Sequence, residues 1–260
     1  MASKIDLSAV SRESVLDAVA EFDSLGQGEF LRSRGFKTAK NYRLVHGGRF
    51  YDSKAIVGVA HGYATGDFID HTGFSGGLAT VAGCLSELGF IVDHGAKNAS
   101  GGLLWELETN TPVFTGNGKS AAYKYVVLLW AVVREGRSPN PVAFSTVRME
   151  LADYLAPFAI ADSQPDPVDP WVALRKSGWW TLHMPEGFDG ESVTNRQAKS
   201  LTRSEDLQAG LSPAVRSLLK NDVWRAEATA VLLRRIDELV GPLIGRGRIN
   251  SPWPHTGPDR

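Results

Sequence analysis

Trp171-Val-Ala-Leu-Arg-Lys-Ser-Gly-Trp-Trp-Thr-Leu-His183 is the stretch on which the reading of the fold turns. Aromatic and β-branched residues flank the turn-forming step Lys176-Ser177-Gly178, so the run predicts a β-hairpin. Upstream lies an acidic, proline-rich loop, Asp162 to Pro170. Before it, Val147, Leu151, Tyr154, Leu155 and Phe158 recur at helical spacing behind Ser145 as N-cap. Val142 to Phe144 predicts a short strand, and Tyr123 to Arg134 a strongly apolar helix. Helix, short strand, helix, hairpin is the order of a winged helix-turn-helix. Downstream, residues 186 to 210 are polar and weakly patterned and read as loop. Ser212-Pro213 opens a helix with Val215, Leu218 and Leu219, and Asp222 opens another with Ala226, Ala230, Leu233 and Ile236. The tail after Gly241 reads as irregular.

The N-terminal part reads differently. Ser11 precedes a helix with Val15, Val19 and Phe22 on one face, stopped at Leu25-Gly26, and a short helix follows from Glu29 to Ser33. Tyr42 to Tyr51 predicts a hairpin, because Gly47-Gly48 sits between β-prone runs. Asp52 or Ser53 then caps a helix with Ile56, Val57 and Ala60, and another helix carries Leu78, Val81, Leu85 and Leu88 up to Gly89. Residues 96–102 are small and polar and mark a linker, after which Leu103 to Leu107 reads as a strand and Gly116-Asn-Gly118 as a turn. The expected class is α+β: a small mixed helix/hairpin head domain over 1–95, linker and first strand over 96–118, a mainly helical, winged-helix-like DNA-binding domain over 119–241, and an irregular tail over 242–260.

Composition bounds the function. At 260 residues, with 43% hydrophobic and 22% charged residues, the chain must own a real core and is not disordered. The longest nearly apolar run, Tyr125 to Val133, falls far short of the ~20 residues that span a bilayer, so no membrane partner is expected. One cysteine, Cys84, forms no internal disulfide, and with no leader pattern after Met1 the expected compartment is the cytoplasm. Net charge is -1, yet the bases cluster. Arg32, Arg34, Lys37, Lys40, Arg43, Arg49 and Lys54 face only Asp52 within their stretch, and Phe36, Tyr42, Phe50 and Tyr51 are interleaved with them. Lys119, Lys124, Arg134, Arg137 and Arg148 face only Glu135, and Arg175 and Lys176 follow in the Trp-rich segment. Such mixtures suit phosphate contact with stacking; solvated surface is the plainer reading of each.

Enzymatic motifs are wanting. Gly116-Asn-Gly118-Lys119-Ser120 imitates the end of a phosphate-binding loop, but the full spacing needs glycine where Val113 stands. The six histidines form no His-x3-His or HExxH pair, and neither HNH nor PD-(D/E)xK nuclease patterns occur. Glu106 and Glu108 share a face of the expected strand without the lysine that would complete a nuclease site. Cys84 lies on a helix face that reads as buried core. No metal and no cofactor is expected.

Two stretches resemble a known family. Residues 11–90, with Tyr42-Arg-Leu-Val-His and Arg49-Phe-Tyr-Asp-Ser-Lys-Ala-Ile-Val-Gly-Val-Ala, are similar to the N-terminal head domain of McrA-type (type IV, modification-dependent) restriction endonucleases. Residues 119–241 resemble the sulfur-binding domain that follows it. The matching pieces are Tyr123-Lys124 with Leu128-Leu129-Trp130, Phe144-Ser145, Pro170 to Trp180, Leu211 to Leu219, and the helix from Ala226 to Leu239. The resemblance implies recognition of a sulfur that replaces a non-bridging phosphate oxygen: an apolar cup penalises ordinary oxygen, which wants hydrogen bonds, and costs the weakly hydrated sulfur little. It places that pocket at Asp169, Pro170 and Ala173. Asp169 stands where the family has an aromatic residue, and Tyr125 where a His/Tyr-Lys/Arg-Pro motif has proline.

The expectation is therefore a non-enzymatic reader of phosphorothioate-modified double-stranded DNA. It is either a reader-only protein or the front portion of a longer one, with a nuclease domain or subunit as a further partner, because the HNH domain of family members is not matched here. Lys119, Lys124, Arg148, Arg175 and Lys176 would contact phosphates, with hydrogen bonds from Tyr123 and Ser145. Arg32, Arg34, Lys37, Lys40, Arg43, Arg49 and Lys54 would form a second basic surface. The alternative is a winged-helix transcription regulator of unmodified DNA; a third reading is a hydrolase with a composite site.

Overall fold

The computed structural model describes residues 6–74, 77–94, 102–109, 115–116, 119–190 and 192–241. The chain divides into two compact units: Met1–Trp105 with Asp222–Ala228, and Glu106–Asn221 with Thr229–Arg260. It is a mixed α/β chain with small antiparallel sheets.

In the first unit, α1 (Arg12–Leu25) starts at a capping box in which the Ser11 hydroxyl accepts the Ser14 amide and the Ser14 hydroxyl accepts the Ser11 amide. Val15, Ala18, Val19 and Phe22 are its buried stripe. Helix α2 (Gln27–Ser33) follows, starting two residues earlier than expected. Strands β1 (Tyr42–His46) and β2 (Arg49–Asp52) form the predicted hairpin, with His46 opposite Arg49. Gly47 and Gly48 take φ of 58° and 74°, which a two-residue hairpin loop demands and side chains resist. Helix α3 (Ser53–Thr65) packs on α1. Asp52 is its N-cap residue, as expected, but neither the Asp52 nor the Ser53 side chain makes a capping hydrogen bond. The Asp52 carboxylate accepts from Gln27 Nε2 (2.8 Å) and the Ala39 amide, and the Ser53 hydroxyl donates to the Tyr42 carbonyl at 2.6 Å. A π-helical turn (Leu78–Ala82), α4 (Gly83–Glu87) and β3 (Ile91–His94) complete the sheet in the order β2–β1–β3. Phe30, Leu44, Tyr51, Ile56, Leu85 and Phe90 form the core.

Leu103–Thr109 is helix α5, not the expected strand, so Glu106 and Glu108 do not share a strand face. Leu103, Leu104 and Leu107 are its buried side, an i, i+1, i+4 spacing that a five-residue apolar run hides. Strands β4 (Thr115–Gly116) and β5 (Lys119–Ser120) pair across the expected turn, whose residues 117–118 lie outside the described set, as do linker residues 96–101 and tail residues 242–260.

The second unit is built on α6 (Tyr123–Arg134), β6 (Val142–Ala143) and α7 (Phe144–Leu155), as read from the periodicity, with a 3-10 turn at Ala156–Phe158. The N-cap of α7 is Ala143 rather than Ser145, which lies inside the first turn. The hairpin over 171–183 does not form. Val168–Ala173 is helix α8, continued by a 3-10 turn at Leu174–Lys176, and only β7 (Trp180–Leu182) is extended. Pro170 is tolerated because it falls in the first turn of α8, where its missing N–H has no helical partner to lose. The partner of β7 comes from the stretch read as loop: α9 (Asn195–Glu205) and β8 (Gln208–Leu211) lie there. The sheet order is β6–β8–β7, antiparallel, with Trp180 opposite Leu211 and Val142 opposite Ala209. Gly210 leaves room for the Asn140 side chain, whose Oδ1 would stand 1.7 Å from a Cβ there. Helices α10 (Pro213–Leu218) and α11 (Asp222–Val240) end the described chain.

Candidate nucleic-acid interface

Helix α8 is nailed into the second unit by Trp171. That side chain is fully buried, with ring centroids 5.1 Å from Trp180, 5.4 Å from Phe144 and 6.5 Å from Trp130. Val168, Val172 and Leu174 are buried around it. What remains outward follows from helical geometry: Asp169, Ala173 and Lys176, at i, i+4 and i+7, share one face. Asp169 and Lys176 are exposed and Ala173 is half-buried, whereas Pro170, about 100° around the helix, is buried. The proline of the expected cup is thus turned into the fold, and Ala173 is the small apolar residue left at the surface.

Lys124, in the first turn of α6, comes close to Lys176 across 52 positions of sequence. Burial first and the Lys176 charge second hold its ammonium below the usual lysine range. Two cations brought this near suit an anion between them. Lys176 makes no ion pair or hydrogen bond among the described residues, and it lines an open cleft with Arg175, Ser177, Trp180, Thr181, Asp189 and Gly190. Arg148 is exposed on α7 beside Met149, which is 73% exposed, and is likewise unpaired among the described residues.

Other expected contacts are engaged within the chain. Arg175 uses four of its five N–H groups: Nε on the Gly190 carbonyl (3.3 Å), Nη1 on the Val172 carbonyl (3.0 Å) and Asn195 Oδ1 (2.6 Å), and Nη2 on the Val193 carbonyl (2.6 Å). It pins the end of α8 to the segment entering α9. Ser145 gives its amide and hydroxyl to the two oxygens of Asp206, at 2.7 and 2.6 Å. That clasp explains why Asp206 holds a left-handed φ of 53°. The Tyr123 hydroxyl accepts the Ile160 amide at 3.2 Å. Lys119 lies on β5. Asp169 is ion-paired with Lys199 of α9.

Residues 8–94 match the model of the ScoMcrA-like N-terminal head domain, and residues 104–240 match that of the ScoMcrA-like DNA sulfur-binding domain. The chain belongs to the ScoMcrA-like family. Among solved structures it is similar to the type IV phosphorothioation-dependent restriction endonuclease ScoMcrA, at 27% identity over 89% of this chain and 40% of that one, with a TM-score of 0.41. It is also similar to the sulfur-binding domain of SprMcrA complexed with phosphorothioated DNA, at 21% identity over 50% of this chain and 81% of that one, again with a TM-score of 0.41. The chain thus spans 40% of the length of the ScoMcrA structure it matches. No curated protein matches it.

The sulfur-binding region of this ScoMcrA-like chain holds a cationic element that pattern reading missed. Helix α9 carries Arg196, Lys199 and Arg203 at i, i+3 and i+7, and with Ser200 and Ser204 they line a shallow depression. Its buried residues are only Ala198 and Thr202, with Leu201 half-buried beside them, too little to betray a period. The signal that finds it is Thr194-x-x-Gln197, a capping box: the Thr194 hydroxyl accepts the Gln197 amide and Gln197 Oε1 accepts the Thr194 amide.

The head's basic stretch is largely neutralised by acids that the fold brings back to it. Arg34 meets Glu21, Arg49 meets Asp23 and Arg32 meets Glu29, each at 3.1 Å. Arg43 lies 3.8 Å over the Trp105 ring and donates to the Ala39 carbonyl; Lys54 donates to the His71 carbonyl. Only Lys37 and Lys40, of the seven, are exposed and unpaired among the described residues. In the same unit Asp93, buried on β3, accepts the Gly102 and Trp105 amides at 2.8 and 2.5 Å, yet burial outweighs those bonds and pushes its carboxyl up to about 6. Among the described residues no group of three or more His, Cys, Asp or Glu is placed to hold a metal ion, and no helix is long and apolar enough to cross a membrane.

Proposed function

We propose that this chain is a DNA reader that recognises a phosphorothioate-modified backbone, the recognition part of a type IV restriction system whose cleaving activity resides in a nuclease domain or subunit beyond the residues described. The observation that carries the reading is the match of residues 104–240 to a DNA sulfur-binding domain. The geometry supports it in detail. The order α6, β6, α7, α8, β7, β8 with the sheet order β6–β8–β7 supports a winged-helix reading, in which α8 is the helix presented to DNA and the stretch between β7 and β8, with α9, is an enlarged wing.

Lys124 and Lys176 hold a phosphate next to the α8 face, with Arg148 and Lys119 as further backbone contacts. Ala173 supplies the apolar wall on which a polarisable sulfur rests without the hydrogen bonds an oxygen would need. Arg175 positions α8 rather than touching DNA, and Ser145 and Tyr123 shape the scaffold. Gel-shift titration with matched normal and phosphorothioate duplexes tests the reading. Tighter binding of the modified duplex, by tenfold or more, is expected; equal affinities reject sulfur reading.

A further inference from the structure

We infer that the outward face of α9 is a binding surface for DNA phosphates, and that Asp166 and Asp169 occupy it in the free protein as internal stand-ins for those phosphates. This deepens the DNA-binding reading and rests on it. The helix is long enough to define a face, and its three cations at i, i+3 and i+7 with two serine hydroxyls between them match a run of anionic oxygens. The acids opposite them come from one short segment at the start of α8: Asp166 binds Arg203 at 2.5 Å and Asp169 binds Lys199. Arg196, at the other end of the row, has no ion pair or hydrogen bond among the described residues, so the row is two-thirds filled by carboxylates.

These are not buried, committed bridges. Side-chain exposure is 33% for Lys199, 51% for Asp169, 56% for Arg203 and 40% for Asp166, and pairs so exposed are screened by water and salt and hold little net energy. A phosphodiester offers the same charge and the same acceptor oxygens, so exchange of carboxylate for phosphate is close to neutral in energy, whereas an empty cationic row would bind any backbone strongly. The two acids therefore set the affinity of the surface low, leaving the pocket on the α8 face to decide occupancy. Their position fits this role, since Asp169 shares its helical face with Ala173 and Lys176.

The test is salt-dependent binding of unmodified and phosphorothioate duplexes to the full chain carrying Asp166→Asn and Asp169→Asn. Asparagine keeps the oxygen that accepts the Val168 amide from Asp166, so the start of α8 is preserved. Both duplexes should bind about tenfold more tightly, and the log–log salt slope should steepen by up to about 2, near 0.9 for each phosphate newly neutralised. Asp169→Asn alone, which loosens the ion pair with Lys199, should give roughly half of the slope change, and Arg196→Glu should weaken both duplexes about tenfold with an unchanged melting temperature. Unchanged affinity and slope in the Asn variants overturn the inference even when the wild-type chain still prefers the modified duplex. Equal wild-type affinity for the two duplexes, with the slope change intact, overturns the sulfur reading instead.

Discussion

In the head, five of the seven cations crowded into 23 residues of sequence end up against Glu21, Asp23, Glu29, the Trp105 ring and backbone carbonyls. In the sulfur-binding region, cations far apart in sequence converge, Lys124 on Lys176 and the three of α9 in one row. Linear clustering of charge thus ends in internal pairing, and linear dispersal in local convergence. Helix α1 explains the first half of this contrast, because its acids fall beyond any window centred on Arg32 to Lys54 and only folding brings them back. The second half follows from α8, which is short and fixed by one tryptophan, so that Lys176, in the turn that continues it, comes close to Lys124 in the first turn of α6.

The largest effect should come from the converging lysines. Lys124→Ala with Lys176→Ala should weaken binding of a phosphorothioate duplex about 100-fold at moderate salt and flatten its salt dependence, while Arg32→Ala with Arg49→Ala in the head stays within about twofold; similar losses from both pairs would erase the contrast drawn above. Next is Arg175. Replacing it with alanine strands the carbonyls of Val172, Gly190 and Val193, so the second unit should lose about 2–3 kcal/mol in urea melts, with the affinity of the folded protein retained. An intact melt with lost affinity would move Arg175 into the DNA contact set.

The smallest effect sharpens the head's side of the comparison. Asp93 titrates near 6 when folded and near 3.8 as a free side chain, so the native state holds the extra proton between those values. Its contribution to stability is greatest below about pH 4 and is lost as pH rises through 6. Wild type minus Asp93→Asn should show this as a fall of about 2 kcal/mol between pH 4 and 6.5, read by exchange of the Gly102 and Trp105 amides. A flat difference would mean that Arg43 keeps the carboxylate charged.

Much of the architecture is written locally. The Gly47-Gly48 loop, the Ser11 cap, and helices α6, α7, α10 and α11 are each specified by a few adjacent residues, and the family resemblance lay in the same pieces. What escaped is non-local. Leu103 to Leu107 fits either period in so short a run, Trp171 and its neighbours look strand-like until the core that receives them is known, and β8 is four residues with a glycine whose need appears only beside Asn140. Of the expected site, Asp169, Ala173 and Lys176 lie on the outward side of one short segment, and Lys124 comes close to Lys176. Pro170 turns inward because the helix that carries it is oriented by its tryptophan, and Arg175, in the turn that follows, is engaged by backbone carbonyls and Asn195.

That tryptophan has a practical consequence. With the indoles of Trp130 on α6 and Trp180 on β7 centred 6.5 and 5.1 Å from that of Trp171, the tryptophan of α8 sits in a cluster of three chromophores. Any tilt of that helix on engaging a ligand must alter their mutual orientation and so their ultraviolet emission, which makes occupancy of the site visible in the unlabelled protein.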